Sequence, residues 1–214
     1  MIPFTRDQMA RRAADDIPEG WCVNLGIGIP TMVANHVPNT REVVFQSENG
    51  VVGMGPAPAK GHEDPWLINA GKQLITLVPG ASFIGHADSF AMIRGGHIDL
   101  CVLGGFEVAE NGDLANWATS ENDTAPAVGG AMDLAAGAKR LWVIMEHTTK
   151  DGRPKLLENC AYPLTGLKCV TRVYTNLATI DIVQGKGFVV RDMAPGLSFD
   201  ELQAKTAAQL QPAQ

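Results

Sequence analysis

Short, nearly continuous apolar runs that alternate with helix-like segments constrain the fold of this chain more than any other feature. The runs rich in β-forming residues are 21–28, 42–48, 73–80, 97–105 and 140–147. Strands that are apolar along their whole length are typical of parallel sheets, which are covered on both faces. Helix-like segments fall between some of these runs, at about 30–37, 87–95 and 129–138. The alternation predicts an α/β fold with a mainly parallel sheet flanked by helices.

The N-terminal segment has the pattern of an amphipathic helix. Thr5 and Gln8 have capping-box spacing, and Pro18 and Gly20 end the pattern. The segment lacks the apolar core of a signal peptide, and no apolar stretch reaches the ~20 residues of a membrane span. The net charge is −6 and no Lys/Arg run occurs, so we expect neither nucleic acid nor a membrane as partner. A cytoplasmic location is the resulting expectation.

The C-terminal third, from about residue 169, has a different pattern. It predicts two or three strands, the last pair joined by a hairpin turn at Gly185 and Gly187. Ser198 and Glu201 form a second capping-box pattern, for a closing helix. The tail after Leu210 is predicted to fray. Because no repeat or linker is visible, we expect a single domain over residues 1–214.

Metal and disulfide chemistry have little support in the sequence. The four cysteines form no CxxC pair, which favours reduced, buried thiols. His62, Glu63 and Asp64 are adjacent, but neighbouring residues rarely point at one ion, and no HExxH motif occurs. We therefore predict no metal site.

One glutamate stands where neither strand nor loop chemistry requires it. In "VVFQSENGVVGMGPAP", residues 43–58, Glu48 lies between an apolar run and a segment with the pattern of a glycine-rich loop. A lone glutamate at a strand end is commonly a solvated surface residue. The alternative is a carboxylate presented to the crevice where open α/β sheets bind ligands, as a base or covalent nucleophile.

Two glycine-containing segments are further candidate sites. In "VNLGIGIPTMVAN", residues 23–35, a strand ends in glycines and a helix begins near Pro30, so the backbone could bind an anion. The alternative there is a tight strand-to-helix turn. In "GGAMDL", Gly129 and Gly130 open a helix and could offer N–H groups to an oxyanion or a carbonyl oxygen. The alternative is close packing of that helix on the sheet.

Taken together, seven motifs resemble the β subunits of family I CoA transferases, of the 3-oxoacid and 3-oxoadipate types. In chain order they are "VNLGIGIPTMVAN", "SENGVVGMGP", "DPWLINAGKQ", "ADSFAMIRGGHIDL", "NGDLANW", "GGAMDL" and "PLTG". The resemblance spans roughly residues 5 to 203. It implies the CoA transferase fold, which is similar to that of sugar-phosphate isomerases.

The resemblance implies that Glu48, the glutamate of "SENG", is the catalytic nucleophile. It would attack the donor acyl-CoA and pass through an acyl–glutamyl anhydride to a glutamyl-CoA thioester. It further implies that Asn24 lines the active site, that Lys72 lies near the substrate or CoA, and that the backbone of Gly129 contacts the reacting group. It also implies Gly28 and Gly130, from the same loops, as residues that bind substrate or CoA.

The resemblance also implies a CoA transferase α subunit as partner, and CoA as a carried group rather than a permanently bound cofactor. Two substrates stay open: "VIMEHTTKDG" resembles the succinyl-CoA:3-oxoacid (acetoacetate) type, and "APAVGGAMDLAAGAKRLWV" the 3-oxoadipate type. Two other functions also stay open, an acyl-CoA hydrolase and a non-catalytic ligand-binding module. The segments 59–66 and 184–196 match no pattern that assigns them a role.

Overall fold

A ten-stranded sheet and a small three-stranded sheet form the framework of the computed structural model, which describes residues 1–120 and 128–213. The strands of both sheets are β1 Cys22–Leu25, β2 Val44–Ser47, β3 Val51–Met54, β4 Leu77–Phe83, β5 Leu100–Leu103, β6 Glu107–Ala109, β7 Leu114–Ala115, β8 Leu141–Met145, β9 Leu156–Leu157, β10 Val170–Thr175, β11 Ala178–Val183, β12 Gly187–Met193 and β13 Leu210–Pro212. The α-helices of the described residues are α1 Arg6–Asp16, α2 His86–Arg94, α3 Ala131–Gly137 and α4 Phe199–Gln203.

The middle of the large sheet is parallel. Its strand order is β13-β12-β11-β10-β8-β5-β1-β2-β3-β4. Neighbours from β10 to β2 in that order run parallel, whereas β3, β4, β11 and β12 join by antiparallel pairing. The predicted α/β fold with a mainly parallel sheet is confirmed. Because β2, β1, β5 and β8 point the same way, their carboxyl ends meet at one edge, where such sheets bind ligands.

Apolar side chains cover both faces of this central part. On one face, Val102 packs with residues of α1 such as Met9. On the other, Leu103 packs with Ile93 of α2 and Leu134 of α3. Successive residues of one strand therefore contribute to opposite layers, which explains why the run around β5 is apolar without alternation. Each buried aliphatic side chain of this kind contributes ~1.5–3 kcal/mol to the hydrophobic stabilisation of the fold.

Most of the predicted local signals are confirmed. The capping boxes at Thr5 and Ser198 both form, and each begins its predicted helix. Strands β11 and β12 pair as the predicted hairpin, with Gly185 and Gly187 at positive φ. None of the four cysteines forms a disulfide, although only Cys101 is fully buried.

The helix predicted to begin near Pro30 is present as a 3-10 helix, Ile29–Asn35, which Gly28 enters at a φ of 93° with Pro30 in the first turn. Three other local expectations were wrong. The predicted glycine-rich loop after Glu48 contains strand β3, because Val51 and Met54 are buried. The tail directly after Leu210 does not fray, since Gln211 and Pro212 continue β13 beside β12.

The third of these expectations concerns the run 73–80, which does not form a buried parallel strand. Its strand, β4, begins at Leu77, pairs antiparallel with β3, and forms the outer edge of the sheet. The β3–β4 ladder is irregular opposite Pro79 and Gly80. Phe83, at the end of β4, is 65% exposed.

Within residues 1–120 and 128–213, no helix has both the length and the apolar character that a membrane span requires.

His147, just after β8, is fully buried and joins two later parts of the chain. Its ring nitrogens lie 2.9 Å from the hydroxyl oxygens of Thr175, in β10, and Thr206, after α4. Burial, and secondarily the charges of Lys205 and Lys155, lower the pKa of His147 from 6.5 to about 4. The folded chain thus favours the neutral imidazole.

We expect acid to weaken the fold through His147. Below pH 6.5 the unfolded chain binds a proton that the folded chain does not bind until about pH 4, so stability falls across this window as the pH decreases. Thermal unfolding followed by circular dichroism should show a shallower fall between these pH values for His147→Gln than for the parent chain. Parallel curves for the two proteins would contradict this role.

Candidate active site

Glu48 lies in the turn of a tight β-hairpin. Strands β2 and β3 are joined by residues 48–50, and the amide of Gly50 donates to the carbonyl oxygen of Ser47 at 2.9 Å. Gly50 has a φ of 105°, and a β-carbon there would overlap the carbonyl oxygen of Ile84. Turn chemistry therefore explains Gly50 in "SENG". It does not explain a partly buried glutamate beside it.

A series of hydrogen-bonded, buried polar side chains supports this hairpin. The amide of Asn24, in β1, donates to Oε1 of Gln46, in β2, at 2.6 Å. The amide of Gln46 donates to the hydroxyl of Ser89, in α2, also at 2.6 Å. Ser47, the residue before Glu48, accepts a hydrogen bond from the amide of Ala70 at 3.0 Å through its side chain. These bonds fix β1, β2, α2 and the 69–73 loop relative to one another.

A cavity of about 620 Å³ opens at the carboxyl ends of β1, β2, β5 and β8. Glu48 faces it, together with the loop after β1, the loop after β5 and the start of α3. This volume is in the range of small-molecule sites. The cavity lies at the predicted edge of the sheet.

One glycine of the "GGAMDL" segment, Gly130, packs against the glutamate. A β-carbon on Gly130 would overlap Oε2 of Glu48, so the carboxylate occupies the space that a side chain would need. Gly129 has a φ of 52°, and both glycines line the cavity. The residues before 128 in the "APAVGGAMDL" stretch lie outside the described part of the chain.

The structure brings together Asn24, Glu48, Gly129 and Gly130, which all line the cavity. Gly28 is not among the lining residues. It precedes the 3-10 helix, and its contribution is the positive φ at that turn.

Lys72 also lies outside the lining of the cavity. Its side chain is exposed, its φ is 61°, and its amide donates to the carbonyl oxygen of Asn69 at 2.9 Å. The loop that carries it nevertheless touches the cavity. Ala70 lines it, and a β-carbon on Gly71 would lie 3.4 Å from the side chain of Ile27, another lining residue. Lys72 is therefore at the rim.

Burial is the main influence on the charge of Glu48. It raises the pKa of this carboxyl above its ordinary value, Asp133 raises it further, and His86 opposes the shift. Asp133 is itself paired with Arg94 at 2.7 Å. Among the described residues, none contributes a hydrogen bond to the carboxylate. A poorly solvated carboxylate that is not engaged elsewhere is suited to nucleophilic attack.

Sequence reasoning missed three residues of this region. Gln46 and Ser89 support the hairpin, and Lys155 lines the cavity. The one available signal was Gln46, a long amide inside the apolar run "EVVFQSE". Lys155 lies 107 positions after Glu48 with no distinctive neighbours.

No group of three or more His, Cys, Asp or Glu side chains able to hold a metal ion occurs in residues 1–120 and 128–213. The clustered His62, Glu63 and Asp64 do not form one.

Comparison with known proteins gives strong matches over nearly the whole chain. The family model described as "Coenzyme A transferase" matches residues 6–205. The chain is 56% identical over 207 residues to the β subunit of the 3-oxoadipate CoA-transferase of Acinetobacter baylyi, covering 97% of this chain and 95% of that one. It is 50% identical to the β subunit of the succinyl-CoA:3-ketoacid coenzyme A transferase of Helicobacter pylori, covering 96% and 98%.

Among solved structures, the acyl-CoA transferase YdiF of Escherichia coli O157:H7 has the same fold. The TM-score is 0.76 at 18% sequence identity over 98% of this chain. The chain spans only 42% of the length of YdiF.

Proposed function

Because the chain belongs to the coenzyme A transferase family, we propose that it supplies the nucleophile, Glu48, of an enzyme that moves CoA from an acyl-CoA to a 3-oxoacid. The observation that carries the proposal is the position of Glu48. Its carboxylate is partly buried, faces the cavity from a fixed turn, and packs against the backbone of Gly130.

The reaction requires a nucleophile that can bond covalently first to the acyl group and then to CoA. The Glu48 carboxylate attacks the thioester carbonyl, the C–S bond breaks, and a mixed anhydride and the CoA thiolate form. The thiolate then attacks the glutamyl carbonyl, which releases the donor acid and leaves a glutamyl-CoA thioester. The acceptor acid reverses these steps. No proton or electron is gained overall, and the thioester energy is kept.

The residues around Glu48 have supporting roles in this scheme. The bonds among Asn24, Gln46 and Ser89 hold the hairpin, so the carboxylate keeps its direction. Gly130 lies beside the Glu48 carboxylate, and Gly129 lines the same cavity, so the backbone of this segment would bind the oxyanion of each tetrahedral intermediate. Water must be kept from the anhydride, and the partial burial of Glu48 serves that end.

We propose that an α subunit completes the site. Relatives of this length are named as one subunit of a CoA transferase, and YdiF is a chain more than twice as long. Ile27 and Phe106 line the cavity and are 71% and 39% exposed. Exposed apolar side chains at the mouth of a polar site are typical of a surface that a second protein covers. An α subunit over this mouth would also exclude water.

For the acids, the relatives support the 3-oxoacid class. Those at 54–56% identity are named 3-oxoadipate CoA-transferase, and those at 50–52% are named for succinyl-CoA:3-ketoacid transfer. The deciding experiment is an exchange assay with succinyl-CoA and a panel of 3-oxoacids, using the complex with the α subunit encoded nearby. Transfer to none of these acids would refute the proposed function.

Lys72 is proposed to bind the phosphate groups of CoA, which are too distant from the thioester to enter the cavity. We expect Lys72→Met to lower kcat/KM for CoA esters about fivefold, since an exposed ion pair contributes at most ~1 kcal/mol. The loss should shrink as salt is added. Acyl-pantetheine, which lacks the nucleotide phosphates, is the matched substrate and should show no loss. Equal kinetics of variant and parent with CoA esters at low salt would refute this role.

A further inference from the structure

Lys155 places a positive charge in the cavity that the reaction as described above does not use. The residue immediately precedes β9, and its ammonium donates to the carbonyl oxygen of Gly105 at 2.9 Å. Both residues line the cavity with Glu48. Among the lining residues that the structure describes, Lys155 is the only lysine or arginine.

The nearby carboxylates have other partners. Glu146, which also lines the cavity, lies 3.6 Å from the guanidinium of Arg6. Glu107 accepts hydrogen bonds from the amides of Ala161 and Tyr162 at 2.7 and 3.0 Å. No carboxylate of the described residues lies within 4.0 Å of the Lys155 ammonium.

The ammonium therefore has unused capacity for an anion. It carries three N–H donors, and one is engaged by Gly105. Burial lowers the pKa of Lys155, although Glu146 and Glu107 partly oppose the shift. A carboxylate that entered the cavity would offset the cost of desolvation and use the remaining donors.

The spacing along the sheet edge sets the length of the ligand. Gly105 follows β5 and Glu48 follows β2, with β1 between these strands. Two strand spacings separate their ends by ~10 Å. An extended acyl chain of six carbons has terminal carbons ~6 Å apart, from C–C bonds of ~1.5 Å, whereas a four-carbon chain, at ~4 Å, is too short for this span. One hydrogen bond of ~3 Å completes the distance.

We propose that Lys155 binds the distal carboxylate of a dicarboxylic acyl group while its other end reacts at Glu48. The inference rests on the proposed function and makes it more specific. The enzyme would select dicarboxylic acids of about six carbons over monocarboxylic acids of equal length. Lys155 is then a specificity-determining residue, and Lys72 at the rim serves the CoA moiety.

The test compares 3-oxoadipate with 3-oxohexanoate, which has the same six carbons but a single carboxylate. In the complex of α and β subunits, Lys155→Met should lower kcat/KM for 3-oxoadipate by roughly 10- to 100-fold, the value of one charge-assisted hydrogen bond. The kcat/KM for 3-oxohexanoate, measured with the same donor, should change less than about twofold. Lys155→Arg should recover part of the preference, and Lys150→Met, an exposed lysine change, should have no effect.

Equal losses on both acids, or no loss on 3-oxoadipate, would overturn the assignment while leaving CoA transfer itself intact. Lys155→Gln, whose amide can still donate to Gly105, is the second variant if the methionine protein folds poorly. Calorimetric binding of adipate and hexanoate to the complex gives a readout without turnover. The parent complex should bind adipate more tightly than hexanoate, and Lys155→Met and Lys155→Gln should bind the two acids with similar affinity. An adipate affinity that stays unchanged in these variants would count against Lys155 even if no transfer is observed.

Discussion

Replacing Glu48 with alanine or glutamine should abolish CoA transfer, with a loss of roughly 10⁴-fold or more, because neither side chain has a carboxylate to form the anhydride or the thioester. Glutamine is the sharper variant. It has nearly the shape of glutamate and keeps the contact with Gly130. Acyl exchange by the complete complex of α and β subunits is the measurement.

The control is Glu42→Gln, an exposed glutamate just before β2, which should keep full activity. The Glu48→Gln protein should melt no lower than the parent at pH 7. Because the folded-state pKa of Glu48 is raised, its stabilising effect is present below the unfolded-state pKa and is lost as pH rises. A loss of activity therefore cannot be attributed to unfolding if the melting temperatures agree.

A chemical trap identifies the intermediate directly. Incubation of the complex with donor acyl-CoA and then borohydride should reduce a glutamyl thioester to an alcohol at position 48, as read by mass spectrometry. Exchange that persists in Glu48→Gln, or a reduced residue elsewhere in an active complex, would refute the nucleophile assignment.

The purified chain alone should show no transfer above the uncatalysed background. Its cavity is open at Ile27 and Phe106, so water would reach any anhydride, and part of the substrate site would be missing. Adding the α subunit should restore turnover. Titration of one chain with the other should saturate at a fixed ratio, and analytical ultracentrifugation should detect a complex at that ratio. Full turnover by the chain alone would overturn the proposal of a shared site.

Much of the fold could be predicted because it depends on local chemistry. The capping boxes at Thr5 and Ser198 and the hairpin at Gly185 form as their residues indicate. The burial of an apolar strand, by contrast, depends on whether the strand lies in the middle or at the edge of the sheet. The run 73–80 is as apolar as the central strands, but its strand has a neighbour on one side only.

The candidate site was predictable only in part for a similar reason. Glu48 stands out because its neighbours in "SENG" are turn residues and it is not required by the turn. Asn24 and Gln46 form one hydrogen-bonded pair, but their contact depends on the parallel register of β1 and β2. Lys155 reaches the cavity through a distant loop, and no local pattern marks it.

The irregular outer strand has a consequence for self-association. An open strand edge is a template on which further chains can add and build aggregates. In β4 the imide nitrogen of Pro79 has no hydrogen to donate, and Gly80, with a φ of 86°, bends the strand. A strand of a second copy that paired with β4 would lose the hydrogen bonds near the middle of β4, so further strands would not add readily. This edge is thus a poor template for the addition of another strand, and a change at Pro79 would restore one backbone donor to it.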